Sequence, residues 1–239
     1  MDRNTTMKIV ADLHTHTISS GHAADTMRTM CEFAVRRGLK GIGITDHGPG
    51  LPGGAGVFYF MALNRVAKGI KLPIRIITGV EDDIINRKGE LTLPVDVLNE
   101  LEIVMTGCHP QSWIAEQNLR VRTDAVVNAL GRGRVKVFTH PVGTYYEVEL
   151  GPVAAAAKAH GAALELNASK LSRRELLTNF LERCAAEEVL IVVNSDAHMA
   201  DEVGVFDGAG NLLAEVGFPE RLVVNRSTES IASFFGFEW

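Results

Sequence analysis

The 239-residue chain predicts an α/β fold of one domain, a closed (β/α) barrel, and three observations carry that prediction. Short, β-branched, near-continuously apolar runs recur along the whole chain, as strands covered on both faces require. Stretches with helical spacing and recognisable ends lie between them, so strand and helix alternate and the sheet is parallel. Seven or eight such units in 239 residues suit a closed barrel better than an open doubly wound sheet.

The strand-like runs are residues 8–13, 41–45, 74–80, 103–107, 135–139, 162–166 and 190–194. A further short run at 222–224 reads either as an eighth strand or as the lead into a terminal helix. Between residues 26 and 37, Met27, Met30, Cys31 and Ala34 fall at helical spacing, and Gly38 is placed to stop the helix. A helix is expected over 123–130. Another carries Pro152 in its first turn, four alanines, and Gly161 at its end. Ser172 and Glu175 have the spacing of a capping box ahead of Leu176, Leu177, Phe180, Leu181 and Cys184. Residues 227–235 predict a terminal helix. The glycine-rich stretch 48–56 reads as a mobile loop after the second strand, residues 1–7 as a tail, and residues 8–239 as the domain.

Composition narrows the function. At 46% apolar and 22% charged residues the chain is globular rather than disordered. No apolar run approaches the roughly 18 residues of a membrane span, and the polar opening MDRNTTM lacks the core of a signal peptide, so a cytoplasmic protein is expected. Three cysteines without CxxC spacing argue against a disulfide framework or a thiolate zinc site. A net charge of −5 and 6% aromatics disfavour nucleic acid as a partner. No G-x-G-x-x-G or Walker-type loop follows the first strand, which removes the usual dinucleotide signature.

The histidines are where chemistry enters. His14 and His16 end the first strand in DLHTH, and His47 follows the second in GITDH. The third ends in Glu81, the fourth in His109, the fifth in His140, and the seventh in NSDAH with Asp196 and His198. His22 lies in the loop after the first. Seven of eight histidines therefore gather at one end of the strands, where barrels of this architecture place their active sites. Residues two apart on a strand point the same way, so His14 aims with His16, and Asp196 with His198. Imidazole and carboxylate are the donors of catalytic zinc, iron or manganese sites. The exception, His160, sits in the last turn of a helix, where the dipole favours an imidazolium, and reads as structural.

In order, these blocks resemble the PHP family (polymerase and histidinol phosphatase domain): DLHTH, His22, ITDHG, GVE, GCH, THP, LELN and SDAH. The resemblance implies a distorted (β/α)7 TIM-like barrel and three divalent metal ions, zinc first, with manganese or iron as alternatives. By the resemblance, one ion is held by His14, His16, Glu81 and Asp196, a second by Glu81, His109 and His140, and a third by His22, His47 and His198. The chain looks most like the small stand-alone phosphatase-type members.

Three divalent ions against two ligand carboxylates leave a local charge of about +4, which calls for an anion. Ions about 4 Å apart can also generate a hydroxide near neutral pH and stabilise the leaving oxygen. The expectation is therefore a metal-dependent phosphoesterase acting on a small phosphorylated molecule, with Glu81 and Asp196 catalytic, the latter as a candidate proton donor. Lys170 and Arg173 are the candidate phosphate-binding residues, with Arg87 and Lys88 a second option. Arg132 and Arg134, in the GRGR turn at the far end of the fifth strand, read as solvated, and Cys108 as core. The competing readings are an exonuclease or nucleotide phosphodiesterase, an amidohydrolase-type metal barrel, and a metal-stabilised binding module. Oligomeric state is left open.

Overall fold

The computed structural model describes residues 7–142 and 146–239, so the expected tail lies almost wholly outside the described residues. Seven parallel strands form one sheet in sequence order: β1 Ala11–Asp12, β2 Gly41–Ile44, β3 Arg75–Glu81, β4 Ile103–Thr106, β5 Val137–Phe138, β6 Ala163–Asn167 and β7 Ile191–Asn194. Helices lie between and after them: α1 Met27–Arg36, α2 Val57–Gly69, α3 Val95–Glu100, α4 Leu119–Gly131, α5 Leu150–His160, α6 Arg174–Glu187, α7 Asp207–Glu215 and α8 Thr228–Phe235. The architecture is the distorted seven-stranded barrel, and no described helix is long and apolar enough to cross a membrane.

Closure is direct at only one end. Just beyond the strands, Asp196 donates its N–H to His14 O (3.0 Å) and His16 to Ala197 O (2.8 Å), joining the β1 and β7 edges. Lower down a gap remains, and the run at 222–224 meets it with a single bridge, Ile191 to Val223, rather than a full eighth strand. The Asn225 side chain does the rest. Its amide donates to Ala11 O (2.9 Å) and Val193 O (2.6 Å) and accepts from Val193 N–H (3.0 Å), as a strand backbone would. β1 itself is two residues long, where the apolar run has six.

Inside the barrel, Leu13, Ile77, Ile103, Met105, Val137 and Val192 pack as one cluster, closed at the bottom by Ile231 and the Phe234, Phe235 and Phe237 rings. A larger cluster joins the outer strand faces to the helices, so strand residues are buried on both sides, as their unbroken apolar pattern predicts. Gly161 ends α5 in the left-handed region (φ 63°), and Ser227 caps α8.

Four expectations need correction. The capping box at Ser172 does not form: Asn167 Oδ1 accepts the Ser169 N–H (3.0 Å), fixing a turn that delays α6 until Arg174, with no side-chain cap. Residues 48–56 are tied rather than loose, through Gly48 N–H to Glu81 O (3.0 Å) and Ala55 N–H to His47 O (2.9 Å). Arg134 is not solvated; its guanidinium donates to Leu98 O (2.9 Å) and to Leu101 O, satisfying carbonyls at the end of α3. Finally, α2, α3 and α7 form where no helix was expected.

Candidate metal centre

The loops at the carboxyl ends of the strands carry the whole expected set into one place. Glu81, fully buried, is its centre, and its two oxygens face opposite sides. Oε1 lies 3.2 Å from His109 Nε2 and 3.1 Å from His140 Nε2. Oε2 lies 3.2 Å from His14 Nε2, 3.5 Å from His16 Nε2 and 3.2 Å from His47 Nδ1. Asp196 Oδ1 completes the first group, 3.5 Å from His14 Nε2 and 3.2 Å from His16 Nε2. His22 and His198 meet with their Nε2 atoms 3.0 Å apart. His47 stands between the groups, stacked on His16 (ring centroids 4.3 Å) and on His22 (5.1 Å).

These donor atoms are spaced as ligands are. Around a tetrahedral zinc with bonds of about 2.0–2.1 Å, neighbouring donors stand about 3.3 Å apart. Two approaches here fit that spacing, His47 Nδ1 to Glu81 Oε2 and His109 Nε2 to Glu81 Oε1, both at 3.2 Å. His47 Nδ1, Glu81 Oε2 and His109 Nε2 are buried without any hydrogen-bond partner, although they lie 3.2 Å from an oxygen or nitrogen of the cluster. The Nδ1 atoms explain why. His22 Nδ1 faces Ser20 O (3.0 Å) and His198 Nδ1 faces Asp196 O (2.8 Å). A carbonyl only accepts, so both rings carry a proton on Nδ1 and turn their Nε2 atoms toward each other. Ser20, whose hydroxyl donates to Asp46 Oδ1 (2.7 Å), accepts from His16 Nδ1 (3.0 Å) in the same way. Imidazole nitrogens converging in this way fit divalent metal ions.

The supporting residues come from both sides of the barrel. Glu165 Oε1 accepts from His14 Nδ1 (2.7 Å), and its Oε2 from the His140 N–H (2.9 Å). Asp83 Oδ1 accepts from His109 Nδ1 (3.0 Å). Asp46 holds Ser20, Thr17 and the Tyr59 hydroxyl of α2, and so steadies the loop carrying His16. Gly107 makes room at the centre, since a Cβ there would stand 2.6 Å from His140 Cε1 and 3.1 Å from Glu81 Oε1. Two cluster members, His140 (φ 34°) and Asp196 (φ 57°), occupy the left-handed region that side chains usually avoid.

Charge is arranged to suit. Burial pulls the His14 pKa down, but Glu81, Glu165 and Asp196 outweigh it and hold the imidazole well above its ordinary value. His109 is raised to about 10, with burial again opposed by Glu81 and Asp83. His47 lies well below its usual range, through burial and the neighbouring His16. Glu81 and Asp196 stay ionised: burial would raise both, and the imidazoles beside them hold both well below the carboxylate range. In the metal-free protein, protons on His14 and His109 thus take the place that metal ions would fill.

Beside the cluster lies a cavity of about 450 Å³, lined by His22, His109, His198, Pro110, Tyr146 and Lys170 among others. Lys170 reaches Asp196 Oδ2, which also accepts from Asn167 Nδ2 (3.1 Å). Arg173 is not brought there; it pairs with Glu147 (3.3 Å). Arg87 pairs with Asp124 of α4, away from the histidines. Cys108 belongs to the core as expected, its thiol pushed up to about 12 by burial, yet the residue also borders the cavity. His160 stays at the end of α5, outside the cluster.

Comparison with known proteins agrees with this picture. The PHP domain model matches residues 12–169, more than half of the chain. The chain belongs to the PHP family. Full-length kinship supports the assignment: a probable phosphatase of Caldanaerobacter subterraneus subsp. tengcongensis is 36% identical over 233 residues, 95% of this chain and 91% of that one. A probable phosphatase of Acetivibrio thermocellus is 36% identical over 232 residues, 95% of each. Among solved structures, a histidinol phosphate phosphatase from Lactococcus lactis, in complex with zinc, L-histidinol and phosphate, superposes with a TM-score of 0.60. It covers 87% of this chain and 94% of its own at 17% identity, a likeness of fold. Asp196 and His198 lie beyond the PHP match, so their place in the cluster rests on the geometry.

Sequence reading missed Glu165, Asp83, Asp46 and Asn225. For Glu165 a signal was present in LELN, where a carboxylate interrupts an otherwise buried strand. Asp82 and Asp83, which follow Glu81 directly, are both buried.

Proposed function

We propose that the protein is a phosphomonoesterase that binds three divalent ions, zinc first, and acts on a small phosphorylated metabolite. Membership of the PHP family, with relatives named as phosphatases along nearly its whole length, makes the chain a metal-dependent phosphoester hydrolase. The substrate class and the number of ions are the further step. The observation that carries them is the convergence of nine donor residues, with His47 Nδ1 and Glu81 Oε2 buried 3.2 Å apart and neither making a hydrogen bond.

Ions bound there would supply Lewis acidity and a nucleophile at neutral pH. The chain's own residues do the remaining work. His14, His16, Glu81 and Asp196 would hold one ion, Glu81, His109 and His140 a second, and His22, His198 and His47 a third. Asp196, held ionised by the imidazoles beside it, suits a metal ligand and the anchor of Lys170. Lys170, raised by Asp196 against the pull of burial, stays cationic and can turn to a phosphate oxygen. Pro110 and Tyr146 form the apolar wall against which a leaving group would rest.

The cavity volume is that of a small-molecule site, which falls at about 300–1,000 Å³. Lys170 is its only lysine or arginine among the described residues and Tyr146 its only tyrosine, phenylalanine or tryptophan. That lining suits a monophosphate better than a polynucleotide, which needs a basic track and stacking platforms. The test is phosphate release from p-nitrophenyl phosphate and a panel of mono- and diesters, with metal content measured in parallel. Chelation should abolish turnover, and zinc or manganese should restore it. Fully metallated protein that releases no phosphate from any ester would overturn the proposal.

A further inference from the structure

The three ion positions are not built alike. Around Glu81 two of the imidazoles are backed by buried carboxylates: Glu165 behind His14 (2.7 Å) and Asp83 behind His109 (3.0 Å). Such a partner makes an imidazole a stronger donor, and its loss typically costs about 10–100-fold in metal affinity. His22 and His198 are backed only by backbone carbonyls, Ser20 O and Asp196 O. The carboxylates also point elsewhere. Asp196 Oδ1 faces the Nε2 atoms of His14 and His16, whereas its approach to His198 (3.6 Å) is to Nδ1, the nitrogen turned away from the pair. The His22–His198 position is thus framed by imidazoles: donor atoms of His198, His16 and His47 lie within 4.8 Å of one another, and the His22 ring stacks on His47 (5.1 Å).

Exposure runs the same way. His14, His16 and Glu81 are fully buried, while His198 is 28% exposed and His22 lies at the surface. The two loops are nevertheless joined, through Ala24 N–H to His198 O (2.8 Å) and Ala200 N–H to Asp25 Oδ2 (2.8 Å). The position is therefore preformed, open to water, and poor in negative charge.

Resting on the three-ion reading, we propose that the His22–His198 position is an exchangeable metal site, and that its filling makes the enzyme respond to free divalent metal. The two ions around Glu81 remain bound while the third enters and leaves. Turnover then follows the third ion.

The experiment takes zinc-loaded protein through a series of zinc-buffered chelator solutions and measures bound zinc per chain, with phosphate release alongside. Three zinc ions at saturation should fall to a plateau of two, with the third leaving at free zinc at least about tenfold higher than the others. His22→Ala should lower the saturating content to two and leave the tight pair unchanged. His109→Ala should instead remove an ion from the tight pair, with melting curves checking that both variants fold. Three ions leaving together, or His22→Ala stripping the tight pair, would overturn the exchangeable site while leaving the three-ion centre standing. Saturation of the wild type below three would overturn the centre itself.

Discussion

Glu165→Gln replaces one oxygen by an NH2 group at a residue outside the proposed ligand set, and the structure predicts a large effect. The carboxylate is fully buried and accepts four hydrogen bonds: Oε1 from His14 Nδ1 (2.7 Å) and Asn194 Nδ2 (2.9 Å), Oε2 from the His140 N–H (2.9 Å) and Asn167 Nδ2 (3.0 Å). A glutamine can present its oxygen to one pair only, so its NH2 must face two donors in either orientation. With the NH2 toward His14, the ring is pushed to the tautomer that protonates Nε2, and its lone pair toward Glu81 is lost. With the NH2 toward His140, the backbone N–H of a residue already at positive φ is left unpaired. Each buried donor without a partner costs about 1–3 kcal/mol. Loss of the partner behind His14 should weaken zinc binding about 10–100-fold. Competition against a chromophoric chelator reads the affinity, and urea unfolding in chelator reads the stability of the metal-free chain. If Glu165→Gln binds zinc within about twofold of the wild type while His14→Ala does not, the positioning argument is wrong.

Gly107→Ala should destabilise the protein by about 1–3 kcal/mol, because its methyl would displace the His140 ring and Glu81 together. Unfolding curves and metal content measure the two effects, and unchanged metal content would contradict the packing. In metal-free protein the His109 pKa of about 10 exceeds its ordinary 6.5, so its stabilising contribution is complete below about 6.5. That contribution disappears as pH rises to about 10; the melting temperature in chelator should therefore fall across that window, and a flat profile would refute it. Lys170→Met should raise KM for a phosphomonoester about 10–100-fold, as expected for one lost charge-assisted hydrogen bond. Arg173→Met, whose partner is Glu147, should change KM by less than about twofold. Steady-state kinetics on the two variants separate them, and equal effects would remove Lys170 from the phosphate site.

The barrel and the cluster were legible because each rests on a local pattern repeated many times. Seven apolar runs of strand length announce the sheet, and chemistry-bearing residues at their carboxyl ends announce the site. What escaped depends on partners far apart in sequence. Asn225 replaces a strand's backbone at the gap between β1 and β7, a role that its surroundings VVNR do not encode. Glu165 reaches His14 across 151 residues. The Ser172 box is absent: α6 begins at Arg174 with no side-chain cap, after a turn in which Asn167 Oδ1 accepts the Ser169 N–H. Arg134 looked solvated because sequence places it in a basic glycine turn, whereas the end of α3, 33 residues earlier, supplies the carbonyls it needs.

The left-handed residues show why alternation alone could not have built this centre. Thr139 Oγ donates to Glu81 Oε1, and His140 Nε2 reaches that same oxygen at 3.1 Å, so consecutive residues face one side of the sheet. An extended strand sends neighbours to opposite faces and would turn one of them outward. The φ of 34° at His140 breaks that alternation and brings its ring back under Glu81. Such a conformation costs about 1–3 kcal/mol and persists only where the surroundings fix it. Here the His140 N–H to Glu165 bond fixes it, and Gly107 leaves the space for the ring. At Asp196 (φ 57°) the backbone N–H is held by His14 O, one of the two bonds that close the barrel. At Asp196 the strain therefore sits in a residue shared by the barrel's closure and the proposed ligand set, and a metal ion drawing those donors together would oppose its release.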